Sequence, residues 1–146
     1  MHIPQREHVL EKLVAALKPG GTLFVEEPDG HPVRTLDQTP WRDLCERVFD
    51  VVERRGSNPD WAHDLPYKMA TLGLGDVRAE AVTPYFHGRS GLAEFWKISW
   101  SLVRDGVASA GKNVSQWDRE LAALDDPSLI FVGPMTVAVI ARKTPE

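Results

Sequence analysis

Apolar side chains recur at helical spacing through Val9, Leu10, Leu13, Val14 and Leu17, while Arg6, Glu7, Glu11 and Lys12 fill the other side. This pattern predicts an amphipathic helix with one face in the core and one in water. Pro4 suits its first turn, because the proline φ is already helical and the missing N–H has no partner there anyway. Lys18 precedes Pro19, which disfavours α geometry, and Gly20-Gly21 supplies a turn, so the helix must stop. Thr22 to Val25 is a short continuous apolar run, extended by Glu26 and Glu27, that reads as a strand covered on both faces.

Helical and strand patterns alternate from there, with no internal repeat or low-complexity tract. Thr39-Pro40 provides an N-cap and first helical position for the stripe Trp41, Leu44, Cys45, Val48, Phe49 and Val52, which Gly56 ends. Asn58-Pro59 starts a second helical stretch through Trp61, restarted at Leu65-Pro66 and running by Met69 and Leu72 to a glycine cap at Gly73. Asp76 to Thr83 sets Val77, Ala79, Ala81 and Thr83 against Arg78 and Glu80, a strand with one wetter face, and Pro84 closes it. Ser90 is the expected N-cap of a long helix carrying Leu92, Phe95, Trp96, Ser99, Leu102 and Val103 and ending near Gly106. Ser115 with Asp118 is similar to a capping box for a short helix through Leu124, and Asp125-Asp126-Pro127 is a turn. Leu129 to Val132 leads through the bend Gly133-Pro134 into Met135 to Ala141, whose nearly unbroken apolar character predicts an interior strand.

Composition narrows the class. With 146 residues, 42 % of them hydrophobic and 26 % charged, the chain has the size and usage of one globular domain, residues 1–146. A formal net charge of −4 argues against the basic face of a phosphate-backbone binder, so nucleic acid is not an expected partner. No apolar run approaches the ~20 residues needed to cross a bilayer, so no membrane partner is expected either. Cys45 is the only cysteine, which excludes an internal disulfide and points to a reducing, cytoplasmic setting.

Four phrases then carry a resemblance: His2-Ile3-Pro4, Leu17-Lys18-Pro19-Gly20-Gly21, Leu23 to Glu27, and Leu72-Gly73-Leu74-Gly75-Asp76-Val77. With the order helix, strand, helix, helix, strand, helical insert, strand, the chain resembles the carboxyl-terminal half of class I S-adenosylmethionine-dependent methyltransferases. The resemblance implies an α/β fold with a partial doubly wound, Rossmann-like sheet of about three strands. These are a parallel-type strand at 22–27 and an antiparallel pair at 76–83 and 135–141, with 135–141 between the other two and a helical insert at 90–124.

That family grips adenosylmethionine with a glycine-rich turn after its first strand and an acid at the end of its second, and this sequence shows neither. Its Gly73-Leu74-Gly75 follows a helix and precedes a strand, the reverse of a cofactor loop's context, and reads as a helix cap. The resemblance therefore implies S-adenosylmethionine as cofactor of a parent enzyme and none held by this chain alone. An upstream start, a stable piece of a longer protein and a genuine half-domain stay open as explanations. A half-domain leaves strand 22–27 with an open apolar edge, so a homodimer, or a complex with the missing amino-terminal half, is expected along that edge.

In open α/β sheets ligands bind beyond the carboxyl ends of the strands, which puts Glu26, Glu27 and Asp29 toward a site. Carboxylates there orient an acceptor hydroxyl or amine or take its proton; the alternative is solvated acids in a strand-to-helix turn. The resemblance sets His2 near the cofactor's sulfonium, which makes His2 and Glu27 the candidate catalytic residues and Glu26 and Asp29 candidates for holding substrate. Trp61, Tyr85, Phe86, Trp96, Trp100 and Trp117 concentrate around the insert that caps the acceptor pocket in that family. Tyr85, Trp96 and Trp100 are candidates for a pocket that takes a small apolar or aromatic acceptor, with ordinary core as the alternative. His8, His31, His63 and His87 show no ligand spacing, so no metal is expected. Two function classes follow: methyl transfer to a small acceptor, or a non-catalytic module for dimerisation or small apolar ligands.

Overall fold

The computed structural model describes residues 3–35 and 41–145, so His2 and the Thr39-Pro40 cap lie outside the described residues. Helix α1 (Arg6–Ala16) leads to strand β1 (Thr22–Asp29), the short helix α2 (His31–Arg34) and helix α3 (Trp41–Arg54). A 3-10 turn at Ala62–Asp64 precedes α4 (Leu65–Thr71) and β2 (Leu74–Val82). The rest is β3 (Tyr85–His87), α5 (Gly91–Ser101), α6 (Arg104–Ser109), α7 (Val114–Ala122), β4 (Ile130–Val132) and β5 (Met135–Lys143).

β5 is the middle strand of a three-stranded sheet, antiparallel to β1 on one side and β2 on the other, with Val139 opposite both Val25 and Ala79. β1 and β2 therefore run the same way, and the interior place expected for 135–141 is the one observed. β2 is bulged between Gly75 and Arg78, where Asp76 takes a φ of 49°. Gly73 ends α4 with a φ of +85°, a conformation open to glycine, and so fills the helix-cap role.

One sheet face is covered. Leu23, Val25, Val137, Val139 and Ala141 pack with Leu10 and Val14 of α1, Leu65 and Met69 of α4, and buried Trp61. The other carries Phe24, Glu26, Arg78, Glu80, Ala138 and Ile140, in register across the three strands. Phe24 is 60 % exposed there. The continuous run Leu23-Phe24-Val25 thus does not mark a strand covered on both faces. The period of two sends alternate side chains to opposite faces, and no described element packs on the Phe24 side.

A second core is aromatic. The Trp41 ring of α3 lies 4.6 Å from Trp100, 5.0 Å from Phe131 and 5.8 Å from Phe86, and its Nε1 donates to the Val132 carbonyl at 2.8 Å. Phe86 and Phe131 come from an unexpected ribbon, β3 paired with β4; the first segment lies beyond the Pro84 expected to close the strand, and the second was read as a lead-in to 135–141. The expected long helix from Ser90 is two helices, broken after Ser101. Ser90 does cap α5, its Oγ accepting from Ala93 N at 3.2 Å. Gly106 sits inside α6 and does not end it: a Cβ there would stand 2.6 Å from Val51 Cγ1, so glycine lets α6 lie against α3. The cap of α7 is Asn113, whose Oδ1 accepts from Gln116 N at 3.0 Å, in place of Ser115. α1 begins at Arg6, two residues beyond Pro4, because Pro4 lies in a turn closed by Arg6 N on the Ile3 carbonyl at 3.2 Å.

Candidate functional site

At the carboxyl end of β1 the aromatic core borders a cavity of about 240 Å3. Pro28, Asp29 and Gly30 with Pro134 form one wall, Val48, Phe49 and Val52 of α3 a second, and Phe95, Trp96, Ser99, Trp100 and Val103 the third. The helical walls follow from spacing. Val48 and Val52 on α3, and Trp96 with Trp100 and Phe95 with Ser99 on α5, stand four apart, so each pair stacks along one side of its helix, and Val103 follows just beyond the end of α5. Gly30 permits the close approach, since a Cβ on it would lie 2.6 Å from Phe49 Cζ.

Asp29 is wholly buried. Its Oδ1 accepts from His31 N at 3.0 Å, an Asx turn that starts α2, and its Oδ2 accepts from His63 N at 2.8 Å. The same oxygen lies 3.0 Å from His63 Nδ1. Assigning the Nδ1 proton to this contact makes Nε2 the acceptor of a partly exposed ring, with Asp64 3.7 Å away and His31 5.3 Å away ring to ring. An imidazole oriented by a buried carboxylate is the arrangement of a positioned base. Both Asp29 oxygens already face protein donors, so burial of this acid is satisfied internally.

Behind the Phe49 wall, Arg34 meets three acids: Glu46 at 2.6 Å, Glu53 at 2.7 Å and Asp60 at 2.9 Å. Its guanidinium carbon stands 4.8 Å from the Phe49 ring centroid and holds that ring in place. Burial works against the Arg34 charge, but Asp60, Glu46 and Glu53 outweigh it and leave the guanidinium above its ordinary pKa. Burial raises the Glu46 carboxyl above the usual range; Arg34 opposes this, and Asp50, Asp60 and Glu53 push it further up.

Of the residues singled out in the sequence, the structure brings Asp29, Trp96 and Trp100 together around this cavity. Glu26 points to the open sheet face beside Ala138, and Glu27 lies half-buried opposite Val137 without joining the lining. Tyr85 is 73 % exposed on the ribbon and also stands apart. Trp61, Phe86 and Trp117 are core. Phe49, Phe95, Ser99 and the His63 partner of Asp29 were not foreseen as site residues. The four-residue spacing on α5 carried the signal for Phe95 and Ser99, Phe49 stood in the apolar stripe of α3, and nothing local links His63 to residue 29. Among the described residues no group of three or more His, Cys, Asp or Glu side chains could hold a metal ion.

Sheet, helices and cavity define a mixed α/β protein with an antiparallel strand at the centre of its main sheet and a ligand-sized space beyond a strand's carboxyl end. No family model and no curated protein matches the chain. Among solved structures it is similar to phosphoethanolamine N-methyltransferase 2 of Haemonchus contortus, solved with phosphomonomethylethanolamine and S-adenosylhomocysteine, at 16 % identity and a TM-score of 0.43. The similarity covers 99 % of this chain and 31 % of that one, so this chain spans under a third of the neighbour's length. No described helix is long and apolar enough to cross a membrane.

Proposed function

We propose that this chain supplies the acceptor side of an S-adenosylmethionine-dependent methyl transfer and does not grip the cofactor by itself. The observation that carries this reading is the aromatic cavity beyond the carboxyl end of β1, lined by Asp29, Trp96 and Trp100, in a sheet whose central strand is antiparallel to both neighbours. In such a transfer the protein's work is mainly to hold a nucleophile in line with the sulfonium methyl and to take up its proton. The acceptor is small and apolar or aromatic, because the walls are. His2 and Glu27 remain proposed proton acceptors. The partner is a second copy or a cofactor-binding half, paired along the outer edge of β1, which β5 leaves free.

Calorimetry tests the reading. Adenosylmethionine alone gives no binding heat with this chain, while small aromatic ligands bind; micromolar affinity for the cofactor overturns the division of labour. Light scattering at micromolar concentration gives a dimer if the edge pairs with a second copy, and a monomer counts against that partner.

A second reading, a non-catalytic module for small apolar ligands, is favoured by Asp29 itself. It is the one ionisable residue among those lining the cavity, and both its oxygens are engaged. A binding module needs no free base there. Ligand affinity without methyl transfer, even after addition of a cofactor-binding partner, supports it.

A further inference from the structure

We infer that the cavity selects a neutral ligand of one or two rings bearing a single hydrogen-bonding group, and that the Ser99 hydroxyl is what receives that group. This deepens the proposed function and rests on the cavity being a ligand site.

Size comes first. An apolar cavity of ~150 Å3 takes up benzene, so about 240 Å3 suits one ring with substituents or a fused pair. Phe49, Phe95, Trp96 and Trp100 supply ring faces and edges on two walls, which favours a planar guest. Charge is disfavoured: no cationic side chain lines the space, and its one carboxylate is taken up by His31 and His63.

Polarity then narrows to two lining atoms without a partner among the described residues, Trp96 Nε1, buried beside Gly133, and Ser99 Oγ, and of these only the hydroxyl both donates and accepts. Hydroxyls on helices commonly bond back to their own backbone, and here Thr71 bonds to the Tyr67 carbonyl at 2.9 Å, Ser101 to Ile98 at 2.7 Å and Ser109 to Asp105 at 2.8 Å. Ser99, on the lining side of the same α5, makes no such bond, and among the described residues its Oγ has no partner. It stands one turn from Phe95, in a wall otherwise made of Phe95, Val103 and the Trp96 and Trp100 indoles. A hydroxyl both donates and accepts, so a phenol, an aryl amine or an indole N–H meets it equally well. In a methyl-transfer setting this contact fixes the position of the heteroatom that becomes the acceptor.

Ligand-detected NMR titrations with toluene and p-cresol, which differ by one hydroxyl, test this on the whole chain. Wild type binds p-cresol about five-fold more tightly than toluene, the size of one net hydrogen bond. Ser99→Ala removes that preference and leaves toluene affinity intact, Ser101→Ala on the exposed side of α5 changes neither, and Ser99→Phe, which fills the space, abolishes both. Equal affinity for the two probes in wild type, or a preference that survives in Ser99→Ala, overturns the role of Ser99 while the cavity stands as a ligand site. Absence of binding by either probe at millimolar concentration overturns the cavity reading as well. Circular dichroism confirms that each variant is folded before its titration is counted.

Discussion

The Asp29 carboxylate accepts from the backbone N–H of His63, 34 positions away in sequence, at 2.8 Å and holds the His63 ring through Nδ1 at 3.0 Å. One buried side chain thus ties the end of β1 to the turn that leads into α4, while its other oxygen starts α2. Removing it leaves two part-buried backbone donors without their acceptor. Asp29→Ala is expected to cost roughly 3 kcal/mol in urea unfolding, and Asp29→Asn less, since it keeps one acceptor but turns an NH2 toward a donor. A loss under about 0.5 kcal/mol for the alanine variant refutes the account.

Gly30 and Phe49 make a second test. A methyl at Gly30 would sit 2.6 Å from Phe49 Cζ, and Arg34 hinders the ring from stepping aside. Gly30→Ala is expected to lose about 1–3 kcal/mol and to push the ring into the cavity. Aromatic probes should bind it more weakly, and Gly30→Ala with Phe49→Leu together should recover part of the stability. A neutral single variant is inconsistent with the packing described.

Arg47 of α3 and Glu120 of α7 form an ion pair, with the glutamate side chain 6 % exposed and Gln116 Nε2 donating to its other oxygen at 2.9 Å. Taking away the acid leaves a cation with no partner in a poorly solvated place. Glu120→Ala is expected to destabilise by roughly 3 kcal/mol, and the pair Arg47→Met with Glu120→Leu by much less. Chemical denaturation of the two variants against wild type decides it.

Much of this architecture was legible because periodicity survives in long elements. The stripe Trp41, Leu44, Cys45, Val48, Phe49 gave α3, and the apolar run from Met135 gave a central strand. The ribbon was not legible: Tyr85–His87 and Ile130–Val132 are three residues each, too short to show a period, and their pairing spans more than forty positions. Asn113 and Ser115 are both capping types two residues apart, so sequence alone chose the wrong one, and backbone geometry favours Asn113. Gly106 looked like a stop because a glycine needed for close helix packing carries the same letter as one needed for a turn. At the site, Asp29, Trp96 and Trp100 were visible from strand-end logic and aromatic clustering, whereas His63 reaches Asp29 only through tertiary folding.

Glu46 gives the stability a signed pH dependence. Its folded pKa is raised, by burial first, so the folded chain binds this proton more tightly than the unfolded chain does. Its contribution therefore falls as pH rises from about the ordinary 4.5 through the raised value and is constant above it. Exposed Asp118, lowered by its hydrogen bond from Arg104, acts in the opposite sense: its contribution is present above the ordinary carboxylate value and fades as pH falls. Urea midpoints of wild type and Glu46→Gln should converge on acidification from pH 7 toward 4.5, with wild type gaining on the variant. Parallel profiles refute the shift.

Cys45 is fully buried, and burial followed by the nearby Glu46 charge pushes its thiol well above the ordinary value. The thiolate is the reactive form, so Ellman's reagent is expected to label native protein only at the rate of unfolding. Labelling that is immediate in the absence of denaturant contradicts the packing of α3.

The cavity lies where the carboxyl end of β1 meets the aromatic core, with α3 and α5 forming its other walls. A guest that touches β1, α3 and α5 at once behaves as mortar between the end of the sheet and the aromatic core. Saturation should therefore protect backbone amides far from the guest, in β5 as well as α7, by the same increment, RT ln(1 + [L]/Kd). Hydrogen exchange thus reads cohesion of the whole chain from a molecule that fills one small gap.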